Sequence, residues 1–237
     1  MENMRQSQLS ISESLFGSVE LDESRSATIK KTYLLLGLSV LCGVGGGYLG
    51  ANTPAIRNLF TGWIGWILAM VALNAIPYIA MACRRNPVLG TLSIMGNGFV
   101  AGLVLAPILY LASRFAPNVV PSALLLTLIT FMGVTAAVML TGARYSAPKG
   151  IMFGLFFAFI GVVVLNMFMH MPILGLVIAL IIGIIGVLIL VHATSQVLNN
   201  PEFDEPVVGA VMLFSGLFNI FVALLHILLA FGGFGDD

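Results

Sequence analysis

The sequence predicts an all-α membrane protein: a bundle of seven transmembrane helices, with the N-terminus in the cytoplasm and the C-terminus outside. Three observations carry this expectation. Of 237 residues, 59% are hydrophobic and only 8% charged, where soluble globular domains carry about 45–50% apolar and about 25% charged residues. The mean hydropathy is +1.06. Apolar stretches of the roughly 20 residues needed to cross a bilayer core at about 1.5 Å per residue recur seven times between short polar dividers.

In order, the predicted spans are 31–51, 59–83, 88–113, 119–142, 150–169, 173–198 and 206–233. The dividers read NTPAIRN, RRNP, SRFAPN, ARYSAPK, HMP and NNPEFDEP, and each holds the Pro, Asn or charge that marks a loop. The tightest, His170 to Pro172, makes the fifth and sixth spans a helical hairpin. Pro206 suits the first turn of the last helix, where its missing N–H costs nothing. Lys and Arg placement sets the orientation. Arg5, Arg25, Lys30, Lys31, Arg84, Arg85, Arg144 and Lys149 fall on one side, and only Arg57 and Arg114 on the other.

Residues 1–30, seven of them serine, lack the basic start and short apolar core of a signal peptide. They are expected to be a flexible cytoplasmic tail, with the patch LFGSVEL as a possible docking motif. Cys42 and Cys83 sit at different depths, so no disulfide is expected, and no metal-ligand spacing occurs.

All ten Asp and Glu lie in the tail, in the sixth loop or at the C-terminus. Ion pathways through membranes are usually marked by a buried ionisable group, and here only histidine is available. His192 and His226 are separated by about 20 Å of depth on the predicted topology, too far for a shared metal of about 2 Å reach. Either could act as a pH-sensitive group, or simply donate in neutral form to a neighbouring helix. No phosphate-binding loop, nucleophile elbow or zinc-protease helix motif is present, so an enzyme is not expected, nor a cofactor, nor a nucleic-acid partner. The GVGGG of Gly43–Gly47 lies inside the first span. With Gly98 and Gly102, and Gly150 and Gly154, it has the four-residue spacing of close helix packing.

The neutral polar residues are the remaining candidates. Asn74, Asn97 and Asn219 fall within about 5 Å of the midplane; Asn166 lies nearer the outer surface. Ser215 and His226 share a helical face with Asn219. These groups either hydrogen-bond between helices, at about 0.6–2 kcal/mol each, or line a hydrated path. Pro77 and Pro107, just beyond Asn74 and Asn97, free backbone carbonyls there.

The last of these stretches, VMLFSGLFNIFVALLHIL, resembles the last-helix signature of the Bax inhibitor-1 family, especially its bacterial YccA-like branch. Phe214, Asn219, Phe221, Leu224 and Leu225 fall on that signature. ATIKKTYLLLGLSV, GNGFVAGLVLAPILYLAS, LITFMGVTAAVMLTGARYS and GIMFGLFFAFIGVVVLNMFMHMP resemble its first, third, fourth and fifth helices, so the likeness covers residues 27–230 in order. The resemblance implies a last helix surrounded by the other six, and a bacterial inner (plasma) membrane location. It implies one of two activities: regulation of membrane protein quality control by binding a membrane-bound AAA protease (FtsH-like), here through the N-terminal tail, or a calcium leak through the bundle. Family members that gate a leak by proton sharing do so with two acidic residues. The matching positions here are Ala193 (His192 if the alignment slips by one) and Gly216, and neither is acidic. The resemblance therefore implies a calcium or cation leak with weak or altered pH gating, or none.

Overall fold

The computed structural model describes the backbone of residues 2–146, 149–169 and 172–232, and its regular elements are all α-helices. The side chains of the LFGSVEL patch and of Asn166, the turn at His170, and the residues after Gly232 lie outside the described set. Along the chain the helices are α1 (Glu2–Asn52), α2 (Pro54–Leu59), α3 (Gly62–Ala82), α4 (Pro87–Val104), α5 (Ala106–Phe115), α6 (Val119–Thr141), α7 (Lys149–Met169), α8 (Pro172–Asn199) and α9 (Pro206–Gly232).

Local chemistry explains the helix ends. The Asn86 side chain caps α4 by accepting from the backbone N–H groups of Val88 and Leu89, at 3.0 and 3.1 Å, and Pro87 occupies the first turn. Gly142 closes α6 in the left-handed conformation, at φ 58°, which glycine adopts without steric cost. The predicted third span, 88–113, is corrected to two helices. Pro107 cannot donate to the carbonyl one turn back, and the chain restarts as α5 with that proline in its first turn. Pro77, by contrast, sits inside an uninterrupted α3.

Among the described residues six helices are long and apolar enough to cross a membrane: Glu23–Asn52, Gly62–Ala82, Pro87–Val104, Val119–Thr141, Ile173–Asn199 and Pro206–Gly232. Their outer surfaces are as greasy as their contacts, with Ile64 81% and Leu140 88% exposed. Contiguous exposed apolar surface of this kind is tolerated only against lipid or a partner. At the first span, α1 starts well before the expected boundary at residue 30. Thr28 is already buried and donates to the Asp204 carboxylate at 2.7 Å.

α9 is the hub. It packs against α1, α3, α4, α6 and α8, and half of its apolar window is buried, against a third or less for the other five candidate spans. The main core gathers Leu36 of α1, Ala101 of α4, Leu190, Ala193 and Val197 of α8, and Leu213, Phe214 and Ile220 of α9. α1 and α4 run side by side in the same direction with their backbones in contact. A methyl on Gly98 would overlap the Ser39 carbonyl, and one on Gly102 the Gly43 carbonyl. Two of the three predicted glycine pairs thus face one another. Gly154, from the third, meets nothing within 4 Å among the described residues.

Candidate functional site

The polar residues singled out on α9 do not act as one stripe. Ser215 donates to its own helix, to the Val211 carbonyl at 2.8 Å. His226 is exposed on the outside of the bundle, its Nδ1 2.8 Å from the Val222 carbonyl one turn back. Asn219 is half-buried against α8, where a methyl on Gly186 would lie 3.0 Å from its Cβ. The helical period correctly put the three on related faces. It could not say that this face is half-buried at Ser215 and Asn219 and exposed at His226.

The amides also part company. Asn97 is 5% exposed, on the face of α4 that carries Gly90, Ile94 and Ala101, which packs towards α9. Asn74 is exposed on α3 and donates to its own Met70 carbonyl at 2.7 Å. The expectation that it belongs to a polar core is therefore corrected: the inward face of α3 carries Ala80 instead. No hydrogen bond joins any two of Asn74, Asn97 and Asn219 among the described residues.

At Ala193 and Gly216, expected from the resemblance to match the acidic pair (with His192 in place of Ala193 if the alignment slips by one), the structure shows close helix contact. Ala193 is fully buried within the main apolar core. The Gly216 backbone lies against Leu190, and a methyl there would come within 2.9 Å of the Leu190 nitrogen. A carboxylate at either place would have to be desolvated among aliphatic side chains, at a cost of several kcal/mol. Among the described residues, no three His, Cys, Asp or Glu side chains come together as metal ligands would.

The polar structure of the molecule lies instead around the C-terminus of α8. Ser195 Oγ accepts from the Tyr145 N–H at 2.7 Å and donates to the Ala143 carbonyl at 3.1 Å. Asn199 Nδ2 donates to the Val138 and Ala143 carbonyls at 3.2 and 2.8 Å. His192 Nδ1 lies 2.9 Å from the Tyr145 carbonyl, so this histidine anchors the α6–α7 loop. Arg25 donates to the Leu198 carbonyl and Arg144 to that of Asn199 at 3.2 Å. Two guanidinium groups thus sit at the negative end of the α8 dipole. Thr28–Asp204 and the exposed Arg84–Glu205 pair, 2.8 Å apart, hold the α8–α9 loop. Sequence reasoning passed over Ser195, Asn199 and Asp204. The signal was present in HATSQVLNN, whose polar residues crowd the last turns of an otherwise apolar helix, but hydropathy averaging reads that run only as a span end.

With this geometry in hand, comparison with known proteins is decisive at the family level. Residues 25–233 match the family model described as inhibitor of apoptosis-promoting Bax1. The chain belongs to the Bax inhibitor-1 family. Its relatives include an uncharacterized protein of Campylobacter jejuni, 27% identical over 220 residues, 90% of this chain and 94% of that protein. Another is the modulator of FtsH protease YccA of Escherichia coli K12, 28% identical over 208 residues, 86% of this chain and 90% of the relative. A third, from Pseudomonas aeruginosa, is 28% identical over 155 residues, 65% of this chain and 68% of that protein. This Bax inhibitor-1 family member is an integral membrane protein in which Ala193 and Gly216 lie in an apolar helix seam and a polar network secures the C-terminal end of α8.

Proposed function

We propose that this protein is a non-conducting regulator of membrane protein quality control that binds a membrane-bound AAA protease of the FtsH type. The observation that carries the reading is the α8–α9 seam, where Gly216 and Leu190 touch through their backbones and Ala193 is buried in aliphatic contact. A proton-gated opening shared between two groups needs a titratable pair at that place, and the apolar seam at Ala193 and Gly216 supplies none. The YccA relative named as a modulator of FtsH protease supports the choice of partner, and the printed name of a second relative, inner membrane protein YccA, supports a bacterial inner membrane location.

In this reading α7, 21 residues long and strongly apolar, is the seventh span, and the end that carries the α8 network faces the cytoplasm. The N-terminal segment then lies on the side where a soluble protease domain would meet it. The test is affinity capture of the full-length chain from bacterial membranes holding a tagged FtsH-type protease, beside a variant lacking residues 2–22. Recovery of the full chain and loss of the truncated one are expected. Failure to recover the full chain refutes the partner, and equal recovery of both refutes the role of the segment.

A further inference from the structure

All but two of the ten Lys and Arg fall towards the end of the bundle that carries the α8 network. The two at the other end, Arg57 and Arg114, reach the same aromatic ring. The guanidinium carbon of Arg57 sits 3.6 Å from the centroid of the Tyr110 ring, and that of Arg114 5.4 Å from it, both within the range of a cation–π contact. Arg57 follows the end of α1 and donates Nη1 to the Ala51 carbonyl at 2.8 Å. It thus closes that helix with one of its N–H donors and keeps the rest. Tyr110 and Arg114 lie one turn apart on α5, hence on one face, and α5 packs against both α1 and α2. Gly50 brings α1 and α5 close, since a methyl there would come 2.7 Å from the Ala106 Cβ.

The surroundings put this pair at a membrane surface. The same end carries Trp63 and Trp66, both exposed and stacked with centroids 5.8 Å apart, and exposed tryptophans gather at the level of lipid headgroups. Among the described residues every Asp and Glu lies towards the other end, on the first half of α1 or in the α8–α9 loop. The first turns of α3 and α6, which start at this end, also hold no acidic residue, so their positive dipole ends add to the field.

Two like charges held on one ring repel each other, and an anion bound to both offsets that repulsion. A phosphate diester suits the pair, because its oxygens accept paired N–H bonds from guanidinium groups. At headgroup depth the abundant phosphate is that of the lipid. A zwitterionic headgroup brings its own cation to the same place and gains less. We infer that Arg57, Tyr110 and Arg114 form a binding site for the phosphate of an anionic phospholipid. The site is independent of the protease reading.

The test is photocrosslinking of the full-length protein, with a benzophenone amino acid in place of the exposed Phe115, in phosphatidylcholine vesicles that contain a minority of phosphatidylglycerol. Phosphatidylglycerol is expected to be several-fold enriched in the crosslinked lipid over its share of the vesicle. Arg114→Gln should remove most of that enrichment, and Arg85→Gln, at the other end, should leave it intact. Arg57→Gln should act as Arg114→Gln does, but it also uncaps α1, so the exposed Arg114 decides. Crosslinking in proportion to the vesicle overturns the site even if a variant fails to fold, as does enrichment that survives both Arg57→Gln and Arg114→Gln. Loss of the enrichment on adding inorganic phosphate at constant ionic strength would mean that the pair takes a soluble anion. Enrichment seen only after Asp236→Asn and Asp237→Asn would mean that carboxylates of this chain occupy the pair. Either result overturns the inference.

Discussion

The contact between α1 and α4 is a close approach of backbones with one buried side-chain hydrogen bond, Ser39 Oγ to the Ile94 carbonyl at 3.0 Å, whereas the contact that ties the α6–α7 and α8–α9 loops to α8 is made mainly of polar side chains. In the first, Gly43, Gly98 and Gly102 leave room for the main chains to touch. In the second, Ser195, Asn199 and two arginines each reach a main-chain group that a helix end or a loop leaves open. The difference follows from the surroundings. Within the bilayer, apolar side chains gain nothing by leaving lipid for one another, so adhesion comes from close fit. At the membrane's edge helices end, and their orphan carbonyls need donors.

The largest expected effect breaks the first contact. Gly98→Leu drives a side chain into the Ser39 carbonyl and should cost about 3 kcal/mol or more, seen as loss of folded protein by fluorescence-detected size exclusion. Next, Gly216→Asp places a carboxylate against the Leu190 backbone. It should destabilise by about 2–3 kcal/mol and lower the thermal midpoint, and an unchanged midpoint would show that the seam can open. In the second contact, Ser195→Ala leaves the Tyr145 N–H and the Ala143 carbonyl without that partner. A loss of about 1–2 kcal/mol is expected, with faster proteolysis in the α6–α7 loop. The smallest effect belongs to Asn74→Leu, which removes only a bond to its own helix. It should change stability by less than about 0.5 kcal/mol; a marked change would mean that Asn74 meets another chain in the membrane.

Part of the first contact was legible in the sequence. Glycine at four-residue spacing signalled close helix packing but is common in membrane helices and named no partner; the structure shows the pairs on the first and third predicted spans facing each other. The centrality of α9 was legible too, though by resemblance and not by composition. The second contact was hidden, because the partners of Ser195 and Asn199 are main-chain atoms some fifty residues away, and main-chain atoms carry no sequence signal. His226 and Asn74 misled for a related reason: a helical period reports which residues share a face, not what that face meets. Pro107 was read as freeing a carbonyl within one span, and the structure shows the stronger outcome, a break between α4 and α5.

The central proposal is that the apolar α8–α9 seam keeps this bundle closed, so the most direct test is calcium efflux from liposomes carrying the purified, folded protein between pH 6 and 8. The account predicts efflux no faster than from protein-free liposomes at every pH. Protein-dependent efflux that disappears in Asn219→Leu would contradict it, and would show a conducting path beside the seam that needs no acidic pair.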